Sequence, residues 1–212
     1  MNIVQDKNEH RSRRPATLVR RSDLAARLTD LAESAISTIG VQDLRARALA
    51  DAAGCSVGAI YTVFPDLDEL ILAVNGRTLD AIDAAMTLAA QGAPTPEAQM
   101  ESLASRYLDY ATNHRGRWNA LFQHRMAGAR AMPDWYAARL AAAFTHIEAP
   151  IHVLQPELDK AACAQFARTV FSAVHGVVEL GLGGKTMTPP DILRVQLRKV
   201  VAAIARGSDL RG

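Results

Sequence analysis

The sequence predicts an all-α protein, and three observations carry that prediction. Hydrophobic residues make up 49% of the chain while aromatics reach only 5%. Ala and Leu, strong helix formers, are abundant, and the β-branched and aromatic types that favour strands are sparse. Apolar residues recur at helical spacing along most of the chain. The breaks between these stretches fall on Gly, Pro and capping residues, the usual punctuation of helix ends. A length of 212 residues is enough for one large domain or two small ones with a proper core.

The expected elements follow in order. Residues 1–17 lack periodicity and read as a flexible basic arm. Helix one runs from about Leu18 to Ile39 through Leu24, Leu28, Leu31, Ala32, Ala35 and Ile36, with Gly40 as its stop. A short Ala-rich helix spans Asp43 to Ala53 and ends at Gly54. Ser56 caps a third, very short helix from Val57 to Val63, which Pro65 closes. Asp66, with Glu69 three residues on, opens a longer helix to about Ala90. Thr95 and Pro96 start the next, which runs to about Asn113. Gly116 interrupts, Trp118 to Met126 is a short helix, and Gly128 to Met132 is loose. Pro133 to Val153 and Asp159 to Leu180 are long helices separated at Pro156. Gly181, Gly183 and Gly184 form a loop, and Thr188-Pro189-Pro190-Asp191 starts a last helix to about Arg206. About nine helices result, with domains expected at 18–66 and 67–212.

Charge and cysteine content narrow the class. The formal net charge is only +2, but Lys7, Arg11, Arg13, Arg14, Arg20, Arg21 and Arg27 crowd the start of the chain. Such a cluster suits phosphates or another anionic surface; a solvated tail is the alternative before Pro15. Cys55 and Cys163 match no metal or redox spacing, which fits a reduced, cytoplasmic chain. No apolar run reaches the ~18 residues needed to span a bilayer, and the polar, basic N-terminus does not resemble a secretion signal. No membrane partner, cofactor or metal is expected.

Two short helices joined through a glycine turn are the geometry of a helix-turn-helix, here about Leu44 to Phe64. The second helix of such a pair can enter the DNA major groove while the first braces across the backbone. Leu44, Leu49, Ala53, Val57 and Ile60 are expected to hold the pair together. Arg45 and Arg47 then flank the groove, and Ser56, Val57, Ala59, Tyr61 and Thr62 face DNA. The recognition helix contains no Lys, Arg, Asn or Gln, so bidentate base reading from it is not expected. Val57 or Ala59 would touch thymine methyls, Ser56, Tyr61 and Thr62 would contact phosphate, and Arg45 is the best candidate for a direct base contact. Core packing is the alternative for Tyr61.

The stretch Leu49-Ala50, Ala53-Gly54-Cys55-Ser56, Gly58-Ala59-Ile60-Tyr61, then Phe64-Pro65 and Glu69-Leu70 resembles the TetR family of bacterial regulators in order and spacing, over roughly Leu24 to Val74. Trp118 and the pair His175-Gly176 resemble the C-terminal domain type named for a Trp-His-Gly signature. Two departures stand out. Leu44 occupies a place where the family often has a phosphate-binding Thr or Ser, and Leu67, between Asp66 and Asp68, occupies the place of a common Lys. Those contacts are left to Arg45, Arg47 and the basic arm.

The resemblance implies a sensor and a dimer in the C-terminal part. An apolar pocket with a few polar handles would draw on Trp118, Phe122, Met126, Trp135, Phe144, His146, Phe171 and His175, with ordinary core packing as the alternative for each. A small hydrophobic or aromatic effector is expected there. His175, in an apolar helix, reads either as a buried structural histidine or as a ligand contact. Apolar residues cover more than one face of the last two helices, so each needs cover on several sides. Phe166, Val170, Val177, Leu193, Leu197, Val200, Val201 and Ile204 are therefore candidates for a homodimer interface.

The leading expectation is a homodimeric, ligand-responsive repressor of double-stranded DNA. A regulator without a small-molecule effector, an activator or one answering to a protein partner, is the rival within the class. An enzyme is the rival outside it, but no catalytic constellation emerges. Gly181-Leu182-Gly183-Gly184-Lys185 lacks the phosphate-loop spacing, and His146 and His152 stand six apart, wrong for shared metal binding on one helix.

Overall fold

The computed structural model describes the backbone of residues 6–126, 130–183 and 188–207, and side chains from Val19 to Ala205 within those ranges. Among the described residues every regular element is helical. The order is α1 (Asp6–Ile39), a single 3-10 turn (Val41–Asp43), α2 (Ala46–Ala53), α3 (Val57–Val63), α4 (Leu67–Ala90), α5 (Pro96–Asn113), α6 (Arg115–Gln123), α7 (Asp134–Leu154), α8 (Lys160–Gly183) and α9 (Pro190–Gly207). Residues 1–5 of the expected arm, Gly128 in the expected loose segment and Gly184 of the expected loop lie outside the described residues.

The chain forms two compact units. The first comprises residues up to Asn75 together with Asn119–Arg130; the second comprises Gly76–Trp118 and the residues from Ala131 onward. The division expected at residue 66 therefore falls at Asn75, and a later segment joins the first unit. That segment is tied in by Asn75, whose Nδ2 donates to the Ala120 carbonyl at 3.3 Å, and by Gln42, whose Nε2 donates to the Gln123 carbonyl at 3.2 Å.

The first unit packs α1, α2, α3 and the start of α4 around one core. Leu28, Ala32 and Ile36 of α1 meet Leu44, Leu49, Ala53, Ile60, Leu70 and Val74, with Ala120 from α6. Local chemistry sets the ends of these helices. Gly54 adopts φ 61° and ψ 38°, the left-handed geometry that closes α2. Its N–H donates to the Asp51 carbonyl at 3.1 Å, and the Cys55 N–H reaches the Ala50 carbonyl at 3.0 Å, satisfying carbonyls that a helix end leaves without partners. Arg27 of α1 donates to the Ala53 carbonyl as well. Asp66 Oδ1 accepts the Glu69 N–H at 2.9 Å and caps α4.

The second unit packs α5 against α7, α8 and α9, with α7 on α8 and α8 on α9. Its core includes Leu103, Tyr107 and Leu108 of α5, Trp118, Ile151 of α7, Val170, Val174 and Val178 of α8, and Leu193, Leu197 and Val201 of α9. Thr95 caps α5 by accepting the Ala98 N–H at 3.2 Å, and Asp159 caps α8 by accepting the Ala162 N–H at 2.8 Å. Arg194 of α9 binds Asp109 of α5 at 2.8 Å and also donates to Ser105.

Three boundaries differ from expectation. Helix α1 begins at Asp6 rather than Leu18, so most of the expected arm has helical backbone. That segment carries no apolar stripe, and periodicity could not reveal it. Gly116 lies inside α6 rather than before it; in a first turn it interrupts no intrahelical bond. Gly181 and Gly183 belong to α8 rather than to a loop. At Gly181 the glycine serves packing, because a Cβ there would run into the Leu193 side chain of α9.

Candidate nucleic-acid interface and effector region

The helix-turn-helix core forms as its spacing suggests, with one exception. Leu44, Leu49, Ala53 and Ile60 are buried, at 3% exposure or less. Val57 instead stands 37% exposed at the first position of α3, so it does not hold the helix pair together. Tyr61 is 48% exposed, which removes core packing as its role. Ser56 and Thr62 are exposed and Ala59 is half-buried. The uncharged outer surface of α3 thus presents Ser56, Val57, Tyr61 and Thr62 together.

Part of this surface is already committed to local bonds. Ser56 Oγ accepts the Ala59 N–H at 3.1 Å, so its hydroxyl caps the helix. The Thr62 hydroxyl donates to the Ala59 carbonyl at 2.7 Å. Arg45, expected to reach a base, folds back on its own turn. Its Nη1 donates to the Gln42 and Leu44 carbonyls at 2.7 and 3.0 Å, and Nη2 stands 3.7 Å from Asp43. The side chain is 65% exposed, so these are solvent-facing bonds that a phosphate can replace. Arg47 is exposed on α2.

Close to α3 lies a charged cluster that sequence reasoning did not assemble. Arg130 Nη1 is 2.7 Å from Asp66 Oδ2, and its Nη2 is 3.2 Å from Asp68 Oδ2. His124 Nε2 stands 3.5 Å from Asp68 Oδ1. The Glu69 backbone N–H, aided by Arg130, holds the Asp66 carboxyl below its ordinary range. Burial pushes the His124 imidazole down, against the pull of Asp68 and Asp66.

In the second unit, four of the eight pocket candidates come together. Trp118 and His175 have ring centroids 5.4 Å apart, Phe171 stacks on His175 at 5.5 Å and 18°, and Phe144 meets Phe171 edge-on at 5.4 Å. At their centre sits Tyr107, not among the candidates. Its hydroxyl lies 2.8 Å from His175 Nδ1, and its ring contacts Trp118 and Phe171. Tyr107 falls on the buried stripe of α5 with Leu103, Ala104, Leu108 and Ala111, so periodicity marked it as core but not as a polar partner. Burial lowers the pKa of His175, against Glu179, and raises that of Tyr107. The two groups share one hydrogen bond, whose direction the imidazole tautomer sets.

The other four candidates go elsewhere. Phe122 and Met126 belong to the first unit, and Phe122 is exposed. Trp135 is also exposed. It lies over Gly76, where a Cβ would come within 2.9 Å of the indole, with the Arg139 guanidinium 5.1 Å from its ring centroid. His146 pairs with Asp83 at 2.8 Å. Trp135 and His146 thus have partners along α4 and α7 rather than a place in the aromatic cluster.

The interface candidates split by face. Val170, Leu193, Leu197 and Val201 are buried within this chain's own core, which corrects their assignment to a contact with a second subunit. The stripe on α9 was read correctly as apolar, but α5 and α8 cover it. Phe166, Val177, Val200 and Ile204 remain half-buried. Leu180, Ile192 and Val195, not among the candidates, are exposed at 78%, 50% and 41%. Among the described residues no group of three His, Cys, Asp or Glu is placed to hold a metal, and no helix is long and apolar enough to cross a membrane.

Residues 100–204 match a family model described as a tetracyclin repressor-like C-terminal domain. The match does not name the Trp-His-Gly type. No curated protein matches the sequence significantly. Solved structures share the fold. A protein of unknown function from Rhodococcus sp. RHA1 superposes with a TM-score of 0.70 at 24% identity, over 87% of this chain and 94% of that one. A tetR-family transcriptional regulator from Streptomyces coelicolor gives 0.64 at 20% identity, over 89% and 84%. The fatty acid degradation regulator of Bacillus halodurans gives 0.63 at 14% identity, over 89% and 97%.

Proposed function

We propose that this chain, whose residues 100–204 match a tetracyclin repressor-like C-terminal domain, is a TetR-like cytoplasmic transcriptional regulator that binds double-stranded DNA as a homodimer and is released by a small apolar or aromatic effector. The observation that carries the DNA reading is the surface of α3. A seven-residue helix with a buried anchor, Ile60, turns Val57, Tyr61 and Thr62 outward. A short helix on a fixed core with an exposed, uncharged outer face suits insertion into the major groove, with phosphate contacts from Ser56 and Tyr61, and from Thr62 once its hydroxyl turns from the Ala59 carbonyl. Arg45 and Arg47 add cationic charge at α2, and the basic residues at the start of the chain supply more.

Two such helices on a two-fold dimer would engage a symmetric operator. The exposed apolar residues Leu180, Ile192 and Val195, with the half-buried Phe166 and Val177, support a dimer face on α8 and α9. The half-buried rings of Phe144, Phe171 and His175 beside buried Trp118 and Tyr107 support an apolar effector site with one polar couple, His175 and Tyr107. Effector would release DNA by binding more tightly to a dimer whose recognition helices no longer fit adjacent grooves.

A gel shift of the intact dimer with the DNA upstream of its own coding sequence tests the reading. Retardation at low salt that weakens steeply as salt rises is expected. Absence of any shift at low salt overturns it.

A further inference from the structure

We propose that Arg130 raises the DNA affinity of this chain by offsetting part of the negative charge of Asp66 and Asp68 at the start of α4, beside the recognition helix. The inference rests on the DNA-binding reading above. Helix α3 carries no charge, and the next charges along the chain are the three carboxylates Asp66, Asp68 and Glu69. Asp66 lies three positions beyond Val63, the last residue of α3. Three residues span at most about 11 Å, about one Debye length at 0.1 M salt. A duplex seated on α3 therefore feels these carboxylates through incomplete screening, and feels them as repulsion.

Arg130 opposes that repulsion from 62 residues away in sequence. One guanidinium grips both carboxylates, at 2.7 Å on Asp66 and 3.2 Å on Asp68, a geometry its planar fork of donors suits. The second oxygen of Asp66 is taken by the Glu69 N–H, so that carboxylate stays ionised and its charge needs a cation. His124 also reaches Asp68 but is only 8% exposed, and burial favours its neutral form. Arg130, by contrast, is a permanent cation held on both carboxylates. It is 41% exposed, leaving donors turned to solvent where a phosphate can approach.

The full chain is titrated with a fluorescent duplex of random sequence, because the phosphate contribution is independent of base identity. At about 50 mM salt, Arg130→Gln is expected to bind roughly fivefold to tenfold more weakly than wild type, with the gap shrinking at about 200 mM. Arg130→Lys keeps most of the affinity. The paired change Asp66→Asn with Asp68→Asn retains a capping residue on α4 and is expected to bind more tightly than wild type, by about twice the logarithmic change that Arg130→Gln produces, because it removes two charges rather than one. In that background Arg130→Gln no longer weakens binding below wild type. A bridge that merely pins the chain would respond oppositely, since the paired asparagines break it too.

Arg130→Gln binding as wild type does at low salt overturns the proposal. So does a paired asparagine variant that binds no more tightly than wild type, and this arm holds even if Arg130→Gln fails to fold. A folded wild-type chain that binds no duplex overturns the DNA reading itself, an outcome distinct from wild-type binding that the variants leave unchanged.

Discussion

His124 and His175 are two imidazoles whose surroundings favour the neutral form. Desolvation lowers both pKa values, and Asp68 with Asp66 in one case and Glu179 in the other only partly compensate. Arg130 also faces the carboxylates around His124, and Tyr107, Trp118 and Phe171 face His175. The sign of the linkage follows. Each folded-state pKa lies below the unfolded value near 6.5, so below that pH the unfolded chain binds more protons. Stability from these groups is fully present above pH 6.5 and falls as pH drops toward the folded values. The urea midpoint is therefore expected to fall between pH 7 and pH 5, and to fall less in His175→Gln and His124→Gln. An equal fall in both variants would place the acid sensitivity elsewhere. Sequence alone left His175 between structural and ligand-contacting roles; the Tyr107 bond gives it a structural partner without closing its exposed side to an effector.

Elements α3 and α8 show how single residues govern a helix. Ser56 supplies the side-chain cap of α3, and a seven-residue helix has few bonds to spare. Ser56→Ala should cost about 1 kcal/mol and weaken DNA binding together with it, measured by urea unfolding and anisotropy on the same preparation. On α8, two glycines have opposite roles. A Cβ at Gly181 would clash with Leu193, itself only 1% exposed, so Gly181→Ala should destabilise by about 1–3 kcal/mol. A Cβ at Gly176 meets nothing within 4 Å, so Gly176→Ala should stabilise the helix by about 0.5–1 kcal/mol. Equal midpoints for the two variants would refute this difference. The sequence put Gly176 in an apolar helix and Gly181 in a loop beyond it; that Gly181 is helical and that a neighbour leans on it depends on where α9 lies.

At the scale of the whole molecule, the proposed dimer needs an apolar face that a second copy would cover. Leu193, Leu197 and Val201 are spent on the chain's own core, whereas Leu180, Ile192 and Val195 are not. Leu180→Glu combined with Val195→Glu is expected to yield a folded monomer by sedimentation, with helical circular dichroism intact and operator binding reduced at least tenfold, because two recognition helices no longer act together. Leu197→Glu should instead unfold the second unit, since it buries an unpaired charge. A dimer that survives the paired glutamates would move the interface off this face.

What the sequence by itself determined is what depends on neighbours three to five residues apart. The all-helical class, the Gly54 turn, the Ser56 and Thr95 caps and the helix-turn-helix core at Leu44, Leu49, Ala53 and Ile60 all follow from local spacing, and the TetR resemblance needed little more. Tertiary structure decided whatever depends on which faces meet. It showed that Val57 faces outward, that Tyr107 holds His175, that the α9 stripe is covered from within, and that Arg130 answers Asp66 and Asp68. Helical periodicity marks a face as apolar but does not name what covers it. A charge pair between residues so distant in sequence has no local signature, because only chain folding brings its members within bonding distance.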